Sequence, residues 1–286
     1  MTDKPFVLPD LLIEPLIRTA LLEDLGRAGD ITTDALTPTT LTTQATIVAR
    51  ESGTVAGLRA AELSFRLIDP TLFCEALVAD GARVVRGDRV LQLSGSARAL
   101  LTAERTALNF LCRLSGIATA TAALVDAVRD YPVGVTCTRK TTPGLRALEK
   151  AAVRAGGGVN HRFGLDDAVL IKDNHIALVG GVAAAVRRAR DSVGHLVKIE
   201  VEVDTLEQLD EALGVSPDAI LLDNMTPEEL RRAVDKVAGR AKTEASGRIT
   251  VETAPAIAAA GVDLMSAGWL THSARSLDLA LDIADT

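Results

Sequence analysis

Val197-Lys198-Ile199-Glu200-Val201-Glu202-Val203-Asp204 runs into Thr205-Leu206-Glu207-Gln208 and, past Gly214, into Ala219-Ile220-Leu221-Leu222-Asp223-Asn224. Two short aliphatic runs flank a segment opened by a capping-box pattern, in which a Thr side chain and a Gln three residues on satisfy each other's backbone amides. Strand, helix and strand in that order read as one βα unit, the connection that parallel strands need. The alternation extends both ways. Apolar runs at 133–138 and 168–171 precede the unit; runs at 241–245 and 262–267 come after it. Thr226-Pro227-Glu228-Glu229 repeats the capping box, and Gly214 and Gly239 stand where helices should stop. The expectation is an α/β chain whose second half is an incomplete (βα) barrel of six to seven parallel strands.

Each strand ends in polar, charged or glycine residues: Thr138-Arg139-Lys140, Lys172-Asp173, Glu202 with Asp204, Asp223-Asn224, Ser246-Gly247 and Gly268. In a βα barrel the carboxyl ends of the strands share one mouth, where catalytic groups gather. From Arg139 to Lys172 seven Lys and Arg face three acids, a local excess of four in a chain of formal net charge −7. The positive charge is local, so it marks a site for an anion. A nucleic-acid binder would be basic overall, and 2% aromatic residues offer few stacking platforms.

Ahead of the barrel the pattern is mixed. Residues 11–25 have near-helical apolar spacing, with Pro15 expected in a first turn or at a break. Asp30-Ile31-Thr32-Thr33-Asp34 reads as a turn or cap, residues 46–49 as the start of strand material, and 60–68 as a short amphipathic helix. Residues 78–91 read as two short strands with Asp-Gly and Gly-Asp turns, similar to the half-barrel of biotinyl and lipoyl carriers but without a carrier lysine at the tip. Residues 99–130 are helical, with Gly116 as a break. The division expected is an N-terminal α+β domain over 1–115 and a catalytic barrel over 116–272, with 273–286 packing back on the first. Cys74, Cys112 and Cys137 make no metal or disulfide spacing and read as reduced thiols. Acids near the N-terminus and the lack of a long apolar run point to a cytoplasmic chain that meets no membrane.

At the mouth Arg139, Lys140, Arg162 and Lys172 would grip a multiply anionic ligand, the arginines bidentately. Arg146, Lys150 and Arg154, four apart on the next helix, divide evenly between an exposed face and a further contribution. His161, in a loop behind three glycines, is a ligand or proton donor, or else a structural hydrogen bonder. Glu202 and Asp223 need a cation, a metal or a sugar hydroxyl as partner. Mg²⁺ bound through water and substrate phosphates suits two separated carboxylates, and pairing with the lysines is the alternative. Ser246, Gly247 and Gly268 would offer backbone amides to a phosphate, with His272 close behind.

Leu101-Thr102-Ala103-Glu104-Arg105-Thr106, Thr138-Arg139-Lys140-Thr141 with Pro143-Gly144, Gly156-Gly157-Gly158-Val159-Asn160-His161-Arg162, Ile171-Lys172-Asp173-Asn174-His175, Glu200-Val201-Glu202-Val203 and Leu221-Leu222-Asp223-Asn224 together resemble the quinolinate phosphoribosyltransferase family, over nearly the whole chain. The resemblance implies transfer of phosphoribose from phosphoribosyl pyrophosphate to quinolinate, with decarboxylation to nicotinate mononucleotide. It implies that Arg105, Arg139, His161, Arg162 and Lys172 hold the quinolinate carboxylates, and that Lys140 and Lys172 lie near the pyrophosphate. Thr138 completes the Thr-Arg-Lys motif. Glu202 and Asp223 would serve the ribose and Mg²⁺; Lys140, Lys172, Glu202 and Asp223 are the expected catalytic set. Arg248 stands where the family usually has a second glycine in the phosphate cup. A homodimer, with a hexamer as the larger assembly, is implied too, Arg105 completing the neighbouring site. A nicotinate phosphoribosyltransferase would share the barrel but take a monocarboxylate, and a non-catalytic anion-binding scaffold is the reading from a different class.

Overall fold

The computed structural model describes residues 8–284. The helices are α1 (Asp10–Leu25), α2 (Ile31–Leu36), α3 (Leu58–Ile68), α4 (Ala97–Ala127), α5 (Arg146–Ala155), α6 (Asp173–Val179), α7 (Val182–Ser192), α8 (Leu206–Leu213), α9 (Pro227–Val237), α10 (Ala254–Ala258) and α11 (Trp269–His272). The strands are β1 (Thr42–Ala49), β2 (Gly53–Thr54), β3 (Phe73–Ala76), β4 (Arg83–Val84), β5 (Arg89–Ser96), β6 (Gly134–Thr136), β7 (Val169–Ile171), β8 (Ile199–Val203), β9 (Ala219–Asp223), β10 (Lys242–Ser246), β11 (Leu264–Ser266) and β12 (Leu279–Ile283). They form two compact units. One holds the chain up to Ala122, Thr141–Gly157 and the stretch from Leu270; the other holds Ala123–Lys140 and Gly158–Trp269.

In the first unit an antiparallel sheet of order β12-β1-β5-β3 packs Ile47, Leu91 and Leu93 against Phe65 of α3 and Leu100 and Leu111 of α4, all fully buried. The C-terminal β12 is the edge of that sheet, Ala45 facing Ile283 and Ala49 facing Leu279. Asp30 caps α2 by accepting from the Thr33 amide at 2.9 Å.

Two local expectations fail here, at Pro15 and Gly116, each for a physical reason. Pro15 neither starts nor breaks α1, which runs through it; the missing donor costs one helical bond, and the buried face of Ile13, Ile17 and Leu21 holds the helix together. Gly116 does not break α4. A Cβ there would lie 2.0 Å from the Arg275 carbonyl oxygen, so the glycine exists for close approach of the C-terminal chain. Gly116→Ala should therefore destabilise by about 1–3 kcal/mol, read as a lower urea midpoint. The two strands expected over 78–91 are β4 and the start of β5: β4 pairs with β2, and β5 is a central strand between β1 and β3.

By length and composition α4 could cross a membrane, but 56% of its most apolar window is buried, the pattern of a core helix.

The second unit contains the six expected strands as one parallel sheet, order β6-β11-β10-β9-β8-β7. β6 and β7 are its two edges, so the barrel is incomplete. Along β8 burial alternates: Ile199, Val201 and Val203 are buried and Glu200 and Glu202 partly so, which sets the two acids on one face. At the amino ends of the strands a device repeats. Asp218 accepts from the Ile199 amide at 2.9 Å and pairs with Lys198 at 2.5 Å. Asp263 accepts from the Thr243 amide at 2.9 Å and pairs with Lys242 at 2.6 Å. These contacts pin register, and register decides which side chains reach the mouth. Both capping boxes form, at Thr205 and Thr226. Gly214 caps α8, but α9 is capped by Ala238 in the left-handed region, with Gly239 one residue further.

Candidate active site

The carboxyl ends of the strands enclose a cavity of about 460 Å³. Thr138, Arg139, Lys140, His161, Arg162, Lys172, Glu202, Asp223 and Ser246 all line it, with Leu170, Leu221, Glu244 and Ser266 two residues down the strands. Residues more than a hundred positions apart thus meet at one opening, because inward-facing positions two apart on neighbouring strands stack in layers. The Thr138 hydroxyl accepts from the Lys140 amide at 3.0 Å and shapes the turn that presents Arg139 and Lys140.

Cations crowd this mouth. Burial first, and then the neighbouring Arg139 guanidinium, push the Arg162 pKa down from its ordinary value. Arg162 donates to the Ala168 carbonyl at 2.8 Å, while its Nε is buried without a hydrogen-bond partner. Two guanidiniums that raise each other's energy, one with an idle donor, form a site that an anion would relieve. Lys172 Nζ lies 2.6 Å from Glu202 Oε2, so the lysine-pairing alternative for Glu202 is realised. Asp223 accepts from Asn224 Nδ2 at 2.6 Å.

His161 lines the cavity and is also engaged within the protein. Its Nδ1 accepts the Arg162 backbone N–H at 2.8 Å, and its Nε2 lies 3.0 Å from Glu200 Oε2 and 3.7 Å from Glu244 Oε1. Both ring nitrogens thus face groups of the protein, which favours the structural hydrogen bonder of the two readings. Glu200 and Glu244 escaped the sequence reading. The signal was present: Glu200 shares its face with Glu202, and Glu244 is an acid in the middle of the strand segment 241–245.

Gly247, Arg248, Gly268, Arg105 and His272 are not among the residues lining the cavity. Gly247 (φ 96) and Arg248 (φ 51) are consecutive left-handed residues after β10, and a Cβ on Gly247 would fall 2.2 Å from Asn224 Oδ1. Arg105 is exposed on α4, and His272 is exposed and bonded to Ser273 Oγ at 2.6 Å; both belong to the first unit. Of the two readings of Lys150 the exposed face fails: it is buried on α5 beside Glu149, because that face packs inward with Leu148 and Val153.

A parallel barrel-type sheet with four cations and two acids at its strand ends defines a class: an enzyme for a multiply anionic small molecule, bound at the carboxyl side of the strands. The chain belongs to the quinolinate phosphoribosyl transferase family, whose N-terminal domain model matches residues 30–115 and whose C-terminal domain model matches 117–282. It is 48% identical over 275 residues to the nicotinate-nucleotide pyrophosphorylase (carboxylating) of Mycobacterium leprae (strain TN), covering 93% of this chain and 95% of that one. It is 44% identical over 273 residues to the probable enzyme of that name from Bacillus subtilis (strain 168), covering 96% and 94%. The crystal structure of NadC from Streptococcus pyogenes superimposes with a TM-score of 0.94 at 42% identity, over 98% of this chain and 100% of that one.

Proposed function

We infer that this chain is a quinolinate phosphoribosyltransferase. It transfers phosphoribose from phosphoribosyl pyrophosphate to the ring nitrogen of quinolinate, with loss of CO₂, giving nicotinate mononucleotide and pyrophosphate in de novo NAD synthesis. The observation that carries this reading is the convergence of Arg139, Lys140, Arg162 and Lys172 on one cavity. A dicarboxylate meeting a phosphate and a pyrophosphate demands such a concentration of charge.

Arg139 and Arg162 grip the quinolinate carboxylates, Arg162 through its idle Nε. Lys140 and Lys172 take the departing pyrophosphate, and Glu202 and Asp223 face the ribose. Positioning and electrostatics supply the catalysis, and no nucleophile is needed. Glu202 and Asp223 also fit Mg²⁺: they are hard oxygen donors at adjacent strand ends, and Glu202 is already drawn to a cation. When bound, the ion neutralises charge developing on the pyrophosphate. Turnover should accordingly vanish with a chelator and return with Mg²⁺.

Ser246, Gly247, Arg248 and Gly268 of the second unit are the proposed phosphate cup. Arg248 pays for its position with a left-handed backbone, which for a non-glycine residue costs about 1–2 kcal/mol. Arg248→Gly should raise stability by up to about 1 kcal/mol while raising KM for phosphoribosyl pyrophosphate, with KM for quinolinate unmoved. We place the enzyme in the cytoplasm as a homodimer in which Arg105, exposed on α4, completes the neighbouring subunit's site; gel filtration and activity of an Arg105→Ala enzyme test this. Calorimetry tests the substrate reading: quinolinate should bind far more tightly than nicotinate, and equal affinity would favour a monocarboxylate enzyme.

A further inference from the structure

We propose that Glu244 is the acid that delivers the proton replacing the departing carboxylate of quinolinate; the proposal rests on the reaction inferred above. Glu244 lies mid-strand on β10, on the face that points into the barrel, and forms part of the cavity floor with Leu221 and Ser266. It is 2% exposed, and its Oε1 is buried without a hydrogen-bond partner. A second cavity, of about 630 Å³, occupies the amino-terminal side of the same strands, with Lys198, Asp218 and Lys242 in its wall. Glu244, His161 and Arg162 line both. The layer of His161, Glu200 and Glu244, whose facing polar atoms all lie within 4.8 Å of one another, is therefore the partition between the substrate side and a lower compartment.

The groups around Glu244 come from several elements: Glu200 from β8, His161 and Arg162 from the loop before β7, and Ser266 from β11, while its neighbour on β9 is the apolar Leu221. On its own strand Lys242 is committed to Asp263 at 2.6 Å. Burial, then the charge of Glu200, raise the Glu244 pKa to about 7, against the opposing pull of His161 and Ser266. A bound dicarboxylate above it adds negative charge and favours the protonated acid further. A floor that holds a proton admits an anionic substrate; an ionised one would repel it.

The step balances. With the ring nitrogen quaternised, the bond from the ring carbon to its carboxylate breaks, CO₂ leaves, and the electron pair remains on carbon. The Glu244 O–H breaks and its proton bonds to that carbon. The carboxylate left on Glu244 is reprotonated by water through the lower cavity.

The test uses the full chain with Mg²⁺, following pyrophosphate and CO₂ release separately as pH is varied, in the wild type, Glu244→Gln and Glu244→Asp. Expected for the wild type is a CO₂ rate that falls as pH rises through about 7. In Glu244→Gln, CO₂ release should drop by roughly 10²–10⁴-fold and lose that limb, with little change in quinolinate Kd. Glu244→Asp should recover part of the rate, with the limb displaced. A folded Glu244→Gln enzyme that keeps both the rate and the limb overturns the proposal. So does a parallel fall in binding, pyrophosphate and CO₂ with the limb retained, or a divalent ion found bound at the cluster. If Glu244→Gln does not fold, an unmoved limb in Glu244→Asp overturns it. Failure of the wild type to release either product removes the reaction itself, and this proposal with it.

Discussion

Lys172→Ala is expected to lower kcat/KM by roughly 10²–10⁴-fold while leaving the melting temperature nearly unchanged. Lys172 stands after β7 as the residue before α6, its side chain is 48% exposed, and its ammonium is held by Glu202 at 2.6 Å. An ion pair of that exposure contributes at most about 1 kcal/mol to folding, so the fold barely registers its loss. The cavity does register it. Removing Lys172 also frees Glu202 to repel the incoming phosphates, turning one lost attraction into an added repulsion. Arg139→Ala should act in the same direction. Steady-state kinetics on variants of wild-type stability check this, and loss of fold with unchanged specific activity in the soluble remainder would contradict it.

Arg113→Met is expected to cost the first unit about 3–5 kcal/mol, the typical effect of leaving a buried charge unmatched. Glu149 is fully buried; Arg113 Nη2 lies 3.1 Å from its Oε1. Thr142 supplies the rest, its amide donating to Oε2 at 3.0 Å and its hydroxyl to Oε1 at 2.8 Å. Arg113 donates as well to the carbonyls of Ala274, at 2.8 Å, and Thr271. One guanidinium therefore ties α4, α5 and the segment after α11 together within that unit. Urea titration measures the loss, and the double variant Arg113→Met with Glu149→Gln should recover part of it, because the neutral amide no longer needs a counter-charge.

Much of the barrel was legible because strand and helix alternate at short range: an apolar run, a capping box and a polar strand end each declare themselves within about ten residues. The mouth came with it, since strand ends of one sheet must share a side, and Arg139, Arg162, Lys172, Glu202 and Asp223 do line one cavity. What sequence hid was non-local. Gly116 looked like a helix breaker until the Arg275 carbonyl explained it. Lys150 could be read equally as solvated charge or as a further contributor, and the segment Thr141–Gly157 gave no sign of belonging with the first unit. Glu200 and Glu244 were hidden because they lie in the layer beneath the strand ends, and for His161 only coordinates reveal that both its ring nitrogens are engaged.

The most direct measurement is product analysis after incubation of the purified chain with quinolinate, phosphoribosyl pyrophosphate and Mg²⁺. Nicotinate mononucleotide, pyrophosphate and CO₂ should appear in equal amounts, and nicotinate offered in place of quinolinate should yield little nucleotide. Efficient turnover of nicotinate, or tight quinolinate binding with no nucleotide formed, would contradict the reading of this mouth as a dicarboxylate phosphoribosyltransferase site.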